Sequence, residues 1–169
     1  MPYNFTIQFY NNMTTHERKQ FLDLAHQFKL ATEANREAFA GKYTSLIQKQ
    51  IGNNQPVTPV LGFCMQEAGS KERAEAMFNY VLAKCNIVYW PLPEVDPTVR
   101  SNLEIKRACY KYAMVPVKIS KHMLVLCGTN PYDLEGIKTL FSLASGAEQY
   151  PIFVLSEPEK IAQALTQFE

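Results

Sequence analysis

The chain of 169 residues is long enough for one ordinary domain, or two small subdomains, with a real core. Its composition, 47% hydrophobic and 20% charged with a formal net charge of +1, is that of a soluble globular protein and offers no basic face or tail for a nucleic-acid partner. No apolar run approaches the roughly 20 residues of a membrane span, and the first residues lack the basic and apolar regions of a signal peptide, so no direct membrane insertion and a cytoplasmic location are expected.

In chain order, Asn4 to Tyr10 alternates Phe5, Ile7 and Phe9 with polar residues, as an edge strand or a surface segment would. Thr14-x-x-Glu17 is a capping box, and the helix behind it carries Phe21, Leu24, Ala25 and Phe28 on one face. Thr32 is placed to cap a second helix with Phe39, Tyr43, Leu46 and Ile47 on its apolar side. Gly52 to Pro56 is a break. Pro59 starts a short helical segment, Val60 to Ala68, ended by Gly69. Ser70 then caps a helix with the stripe Ala74, Met77, Phe78, Val81, Leu82 and Cys85.

The pattern changes at Asn86. Ile87 to Trp90 is a compact β run, closed by Pro91-Leu92-Pro93. Asp96-Pro97 reads as a capped helix start, with Val99, Leu103, Ala108 or Cys109, and Tyr112 facing inward. Val115, Val117 and Ile119, the turn at Ser120-Lys121-His122, and the run Met123 to Cys127 form a hairpin. Asn130 is the expected N-cap of the next helix, with Pro131 in its first turn and Asp133 against its dipole. Leu134, Ile137, Leu140, Phe141 and Ala144 would line its buried face and Gly146 would end it. A strand from Tyr150 to Leu155 leads to a second capping box, Ser156-x-x-Glu159, and a helix burying Ile161, Ala164, Leu165 and Phe168. The fold class is therefore α+β. A mainly helical subdomain, residues 1–86, precedes a β-α-β-β-α-β-α subdomain, residues 87–169, whose small mixed sheet has helices on one face.

No phosphate loop, nucleophile elbow, zinc-protease motif or dinucleotide fingerprint occurs, and the expected function is non-catalytic, without a cofactor or metal. Cys64, Cys85, Cys109 and Cys127 lie apart in apolar contexts and read as buried free thiols. His16, His26 and His122 read as solvated side chains, and the carboxylates as dipole and solubility residues. Two signals stand out. Leu61-Gly62, Met65 and Gly69 bracket one short helix, either as a close backbone approach for a ligand or as a helical corner capped by Gly69. Tyr89, Trp90, Tyr110, Tyr112, Tyr132 and Tyr150 provide either a partner patch or core with hydroxyls at its rim.

Residues 87–168 resemble the N-terminal domain of type II secretion and type IV pilus assembly ATPases, the general secretory pathway protein E family. The runs that carry the resemblance are Tyr112 to Val117, Leu124 to Glu135 with its Asn130-Pro131-Tyr132-Asp133 turn, and Tyr150 to Leu165. The resemblance implies an adaptor that ties a motor module to a cytoplasmic segment of an inner-membrane assembly protein. Some family members bind cyclic di-GMP on an arginine-leucine-glycine motif upstream. Val60, Leu61, Gly62, Met65 and Gly69 fit the frame of its second copy, with Val60 in the arginine position. The first copy falls on Gln20-Phe21-Leu22 through Lys29, without its arginine and glycines. Valine cannot stack on guanine or pair with phosphate as arginine does, so the resemblance implies the framework without tight cyclic di-GMP binding. A cyclic di-GMP sensor on residues 60–69 is the alternative function.

Overall fold

The computed structural model describes residues 13–32, 34–144 and 149–169. The expected N-terminal strand, Asn4 to Tyr10, and the helix end at Gly146 lie outside them. Seven α-helices and a three-stranded mixed sheet are found among the described residues, an α+β fold.

Helices α1 (Thr15–Phe28), α2 (Arg36–Gly52), α3 (Val60–Gln66) and α4 (Lys71–Cys85) come first. The Thr14 hydroxyl accepts from the Glu17 amide and the Ser70 hydroxyl from the Arg73 amide, so α1 and α4 start where their caps predict. Helix α2 starts later than expected, with Asn35 at the N-cap position. The Asn35 side chain instead accepts from the backbone and hydroxyl of Thr32, so Thr32 is bound into the preceding turn. Helix α3 is short and ends at Gln66, and α4 ends on Asn86 in the left-handed conformation (φ 50°). Phe21, Leu24, Ala40, Leu61, Phe63 and Met77 belong to one buried cluster built from these four helices.

A 3-10 turn (Pro97–Val99), then α5 (Leu103–Tyr112), β1 (Met114–Ile119), β2 (Met123–Gly128), α6 (Leu134–Ala144), β3 (Tyr150–Leu155) and α7 (Pro158–Leu165) complete the chain. Strands β1 and β2 pair antiparallel with a register irregularity between Pro116 and Lys118, and β3 runs parallel to β2. Pro116 and Pro151, neither able to donate to a ladder, lie on the two outer strands. Leu124 through Cys127 are all buried. Successive strand residues face opposite ways, so the sheet is covered on both faces there and not on one as the sequence pattern indicated. On β3, Val154 joins the sheet cluster, while its neighbour Leu155 joins the helical cluster. The two cores meet across this strand.

Four local expectations change. Residues 87–90 contribute one bridge, Tyr89 to Leu155, because Pro91 and Pro93 have no N–H to extend the ladder. Asp96-Pro97 opens only the 3-10 turn, and α5 begins after Asn102, whose side chain accepts from the Ile105 amide. Leu103 is consequently exposed. Asn130 closes a local turn by accepting from the Tyr132 amide, and Asp133 caps α6 by accepting from the Gly136 amide at 2.9 Å. Leu140 is buried as expected, whereas Leu134, directly after the cap, is exposed and Gly136 is buried. Ser156 is no cap. Its amide still donates to Gly128 O at the end of the sheet, so Glu157 occupies the N-cap position of α7 with Pro158 behind it.

Candidate functional site

The residues singled out around α3 do not share one surface. Val60 and Leu61 are buried in the helical core. Gly62 and Met65 line a groove of about 640 Å³ between α3, the loop before it and α7. Glycine at 62 has a packing reason: a Cβ there would stand 3.1 Å from Pro158 Cβ and 3.5 Å from Pro59 Cγ. Gly69 has φ +88° and open space around it, the geometry of a residue between α3 and α4 that must turn left-handed. Glu159 is the charged residue of the groove lining, and no lysine or arginine is among it. A phosphate placed there would meet a carboxylate rather than a cation.

The tyrosines are mostly rim residues. Tyr89 is half-buried, donates its hydroxyl hydrogen to Glu157 and receives a bond from Lys160 Nζ at 3.0 Å. Tyr112 donates to Glu135 at 3.2 Å, and Tyr132 accepts from Cys85 Sγ at 3.8 Å. Tyr150 is exposed on β3. Cys64, Cys109 and Cys127 are buried free thiols, and burial is the main cause that pushes Cys64 and Cys127 up to about 12 and Cys109 higher still. Among the described residues, no group of three or more His, Cys, Asp or Glu could hold a metal ion. No helix among them is long and apolar enough to cross a membrane.

A surface that sequence reading missed runs along α5. The helix buries Ile105, Ala108 and Cys109, and at the opposite angles it presents Leu103, Lys106, Arg107, Tyr110 and Lys111. These five residues, with Ile51, Asn54, Gln55 and Val57, line a groove of about 570 Å³. Leu103 is 55% exposed and Ile51 59%, so two aliphatic side chains stand in solvent beside three cations. Lys106 Nζ lies 5.6 Å from the centre of the Tyr110 ring and 3.3 Å from Glu169 O. The amide of Val57 donates to Tyr110 O at 3.1 Å and fixes the loop after α2 against the helix. The spacing of Leu103, Arg107 and Tyr110 was available as a signal. Ala108 and Cys109 face inward as the pattern predicts, whereas Leu103, at the first position of α5, is exposed.

A second cluster lies where α1 meets the loop after β2. Gln20 Nε2 donates to Thr129 O at 3.0 Å, and His16 Nδ1 stands 3.4 Å from Asp133 Oδ1. His16 is thus half-buried beside a buried carboxylate and not a solvated side chain. Burial is the largest influence on the carboxyls of Glu17 and Asp133 and holds both above their ordinary values. Hydrogen bonds from Thr14 to Glu17 and from the Gly136 amide to Asp133 offset part of that.

No protein-family model matches the chain, and no curated protein matches it. A solved structure, "Structure of MshE with cdg", aligns over 88% of this chain and 98% of its own, at 12% identity and a TM-score of 0.42. Likeness at that level assigns neither family nor ligand to this chain.

Proposed function

We propose that the chain is a non-catalytic, cytoplasmic interaction domain of a type II secretion or type IV pilus assembly ATPase, docking the motor to the cytoplasmic segment of an inner-membrane assembly protein. The support is the sequence resemblance of residues 87–168 together with the groove on α5. The observation that carries the binding role is the pair of exposed aliphatics, Ile51 and Leu103, flanked by Lys106, Arg107 and Lys111. Exposed apolar anchors inside a charged rim are the anatomy of a protein interface. The charge calls for an acidic partner segment with apolar residues on one face.

The test is calorimetry of the chain against cytoplasmic segments of inner-membrane secretion and pilus assembly proteins. Binding should weaken at least tenfold in Leu103→Asp and become salt-sensitive through Arg107. Equal affinity of Leu103→Asp and the parent refutes the surface. The same preparation should hydrolyse no ATP above a boiled control. Cyclic di-GMP is titrated in parallel, and micromolar or tighter binding lost on changing Gly62 or Met65 would move the assignment to a nucleotide sensor.

A further inference from the structure

The cluster between α1 and the loop after β2 borders a cavity of about 350 Å³. Thr129, only 1% exposed, is one of its lining residues, and the buried hydroxyl oxygen of Thr129 has no hydrogen-bond partner. Glu17 also lines it, and its buried Oε2 is unpartnered. Gln20, 2% exposed and behind the lining, donates one of its two amide hydrogens to Thr129 O, and its Oε1 is unpartnered as well. Three buried oxygens therefore lack partners, and two of them, the Glu17 carboxylate oxygen and the Gln20 amide oxygen, can only accept. Asp133 adds a carboxylate to the lining, itself 2% exposed and shared between the Gly136 amide and His16. Tyr43, Ile47, Val57 and Val60 give the remaining wall an apolar character. His16, Lys111 and Glu135 stand at the lining too, so the acids Glu17, Asp133 and Glu135 outnumber the two basic side chains there.

Unsatisfied buried acceptors beside carboxylates call for a ligand that only donates. A guanidinium has five N–H donors and no acceptor, and an ammonium has three. Hydrogen bonds from such cations to carboxylates are the stronger, charge-assisted kind. The volume and the aliphatic wall suit a slender alkyl stem behind the charged head. We infer that this pocket receives a guanidinium or primary ammonium group carried on a short alkyl chain. Burial is the largest influence holding the carboxyls of Glu17 and Asp133 up, and the neighbouring His16 offsets it only in part. The pocket is separate in chemistry from the basic groove on α5, although Ile51, Val57 and Lys111 border both.

The chemistry has two sources: a free alkyl cation, or an arginine or lysine presented by another protein. Amide-detected NMR titrations of the whole chain with agmatine, N-acetyl-arginine amide and the neutral N-acetyl-norleucine amide separate them. The expected result is saturable shifts at Thr129, Asp133 and the Gln20 side-chain amide. At least one guanidinium probe should bind tenfold tighter than the neutral one, and Glu17→Gln should weaken it at least tenfold. Thr129→Val, close in shape to threonine, is the second variant and should weaken it as well. Tighter binding of agmatine marks a small-molecule source, and tighter binding of the capped arginine marks a protein. Equal binding of all three probes, or unchanged binding in both variants, overturns the inference.

Discussion

Replacing Gly136 by alanine tests how α6 is tied to the loop that builds the acidic pocket. A Cβ at position 136 would lie 2.5 Å from Asp133 Oδ2, 2.9 Å from Asp133 Cγ and 3.0 Å from Met114 Cε. Asp133 cannot swing into solvent, since it is 2% exposed and held by the Gly136 amide and His16. Displacing it removes the cap of α6, a loss of about 1 kcal/mol within a range of about 0.5–2. Crowding Met114, which is fully buried, adds about 1–3 kcal/mol of overpacking. Alanine returns about 1 kcal/mol through its better helix propensity. The variant should therefore be about 1–3 kcal/mol less stable, a fall in Tm of roughly 2–12 °C for a chain of this size. Thermal and urea unfolding followed by circular dichroism measure it. Gly52→Ala is the matched control, because a Cβ there meets nothing within 4 Å, and it should be neutral or slightly stabilising. Adding Asp133→Ser, which keeps a cap on a shorter side chain, should recover part of the loss. Gly136→Ala at or above parental stability would refute the reasoning.

Leu155 is fully buried in the helical cluster while its neighbour Val154 lies in the sheet cluster, so Leu155→Ala should cost about 2–5 kcal/mol in urea unfolding. A loss below about 1 kcal/mol would show that the two cores do not lean on this strand. Glu17 in the folded chain sits above its ordinary value of 4.5, so its contribution to stability is present in acid and lost as pH rises through the elevated value. Glu17→Gln cannot ionise; its urea midpoint should match the parent near pH 4 and exceed it at pH 8, and parallel profiles would contradict the assignment. Cys64, Cys109 and Cys127 are buried and Cys85 half-buried, so a thiol reagent at pH 8 should label Cys85 alone in the native chain and all four cysteines in urea.

The acidic pocket and the basic groove differ in how far each could be read from residues. For the groove, Leu103, Arg107 and Tyr110 already stand at helical spacing, opposite Ala108 and Cys109, and only the apolar character of Leu103 argues for burial there. For the pocket, Gln20 and Thr129 are 109 positions apart, and no local pattern pairs them. The residues around α3 show the converse case. Gly62 and Gly69 look alike in sequence, yet one is small because Pro158 approaches it and the other because its backbone turns left-handed.

Local physics determined most of the elements. Side-chain caps act over three residues and helical faces over four, so Thr14, Ser70, the hairpin from Val115 to Cys127 and the last helix are legible without neighbours. Tertiary packing decided the rest. It set the parallel alignment of β3 on β2, moved the cap of α6 from Asn130 to Asp133, and brought His16 to Asp133. These depend on which buried surfaces meet and which orphaned backbone groups must then be satisfied, and contacts of that kind carry no fixed spacing along a chain.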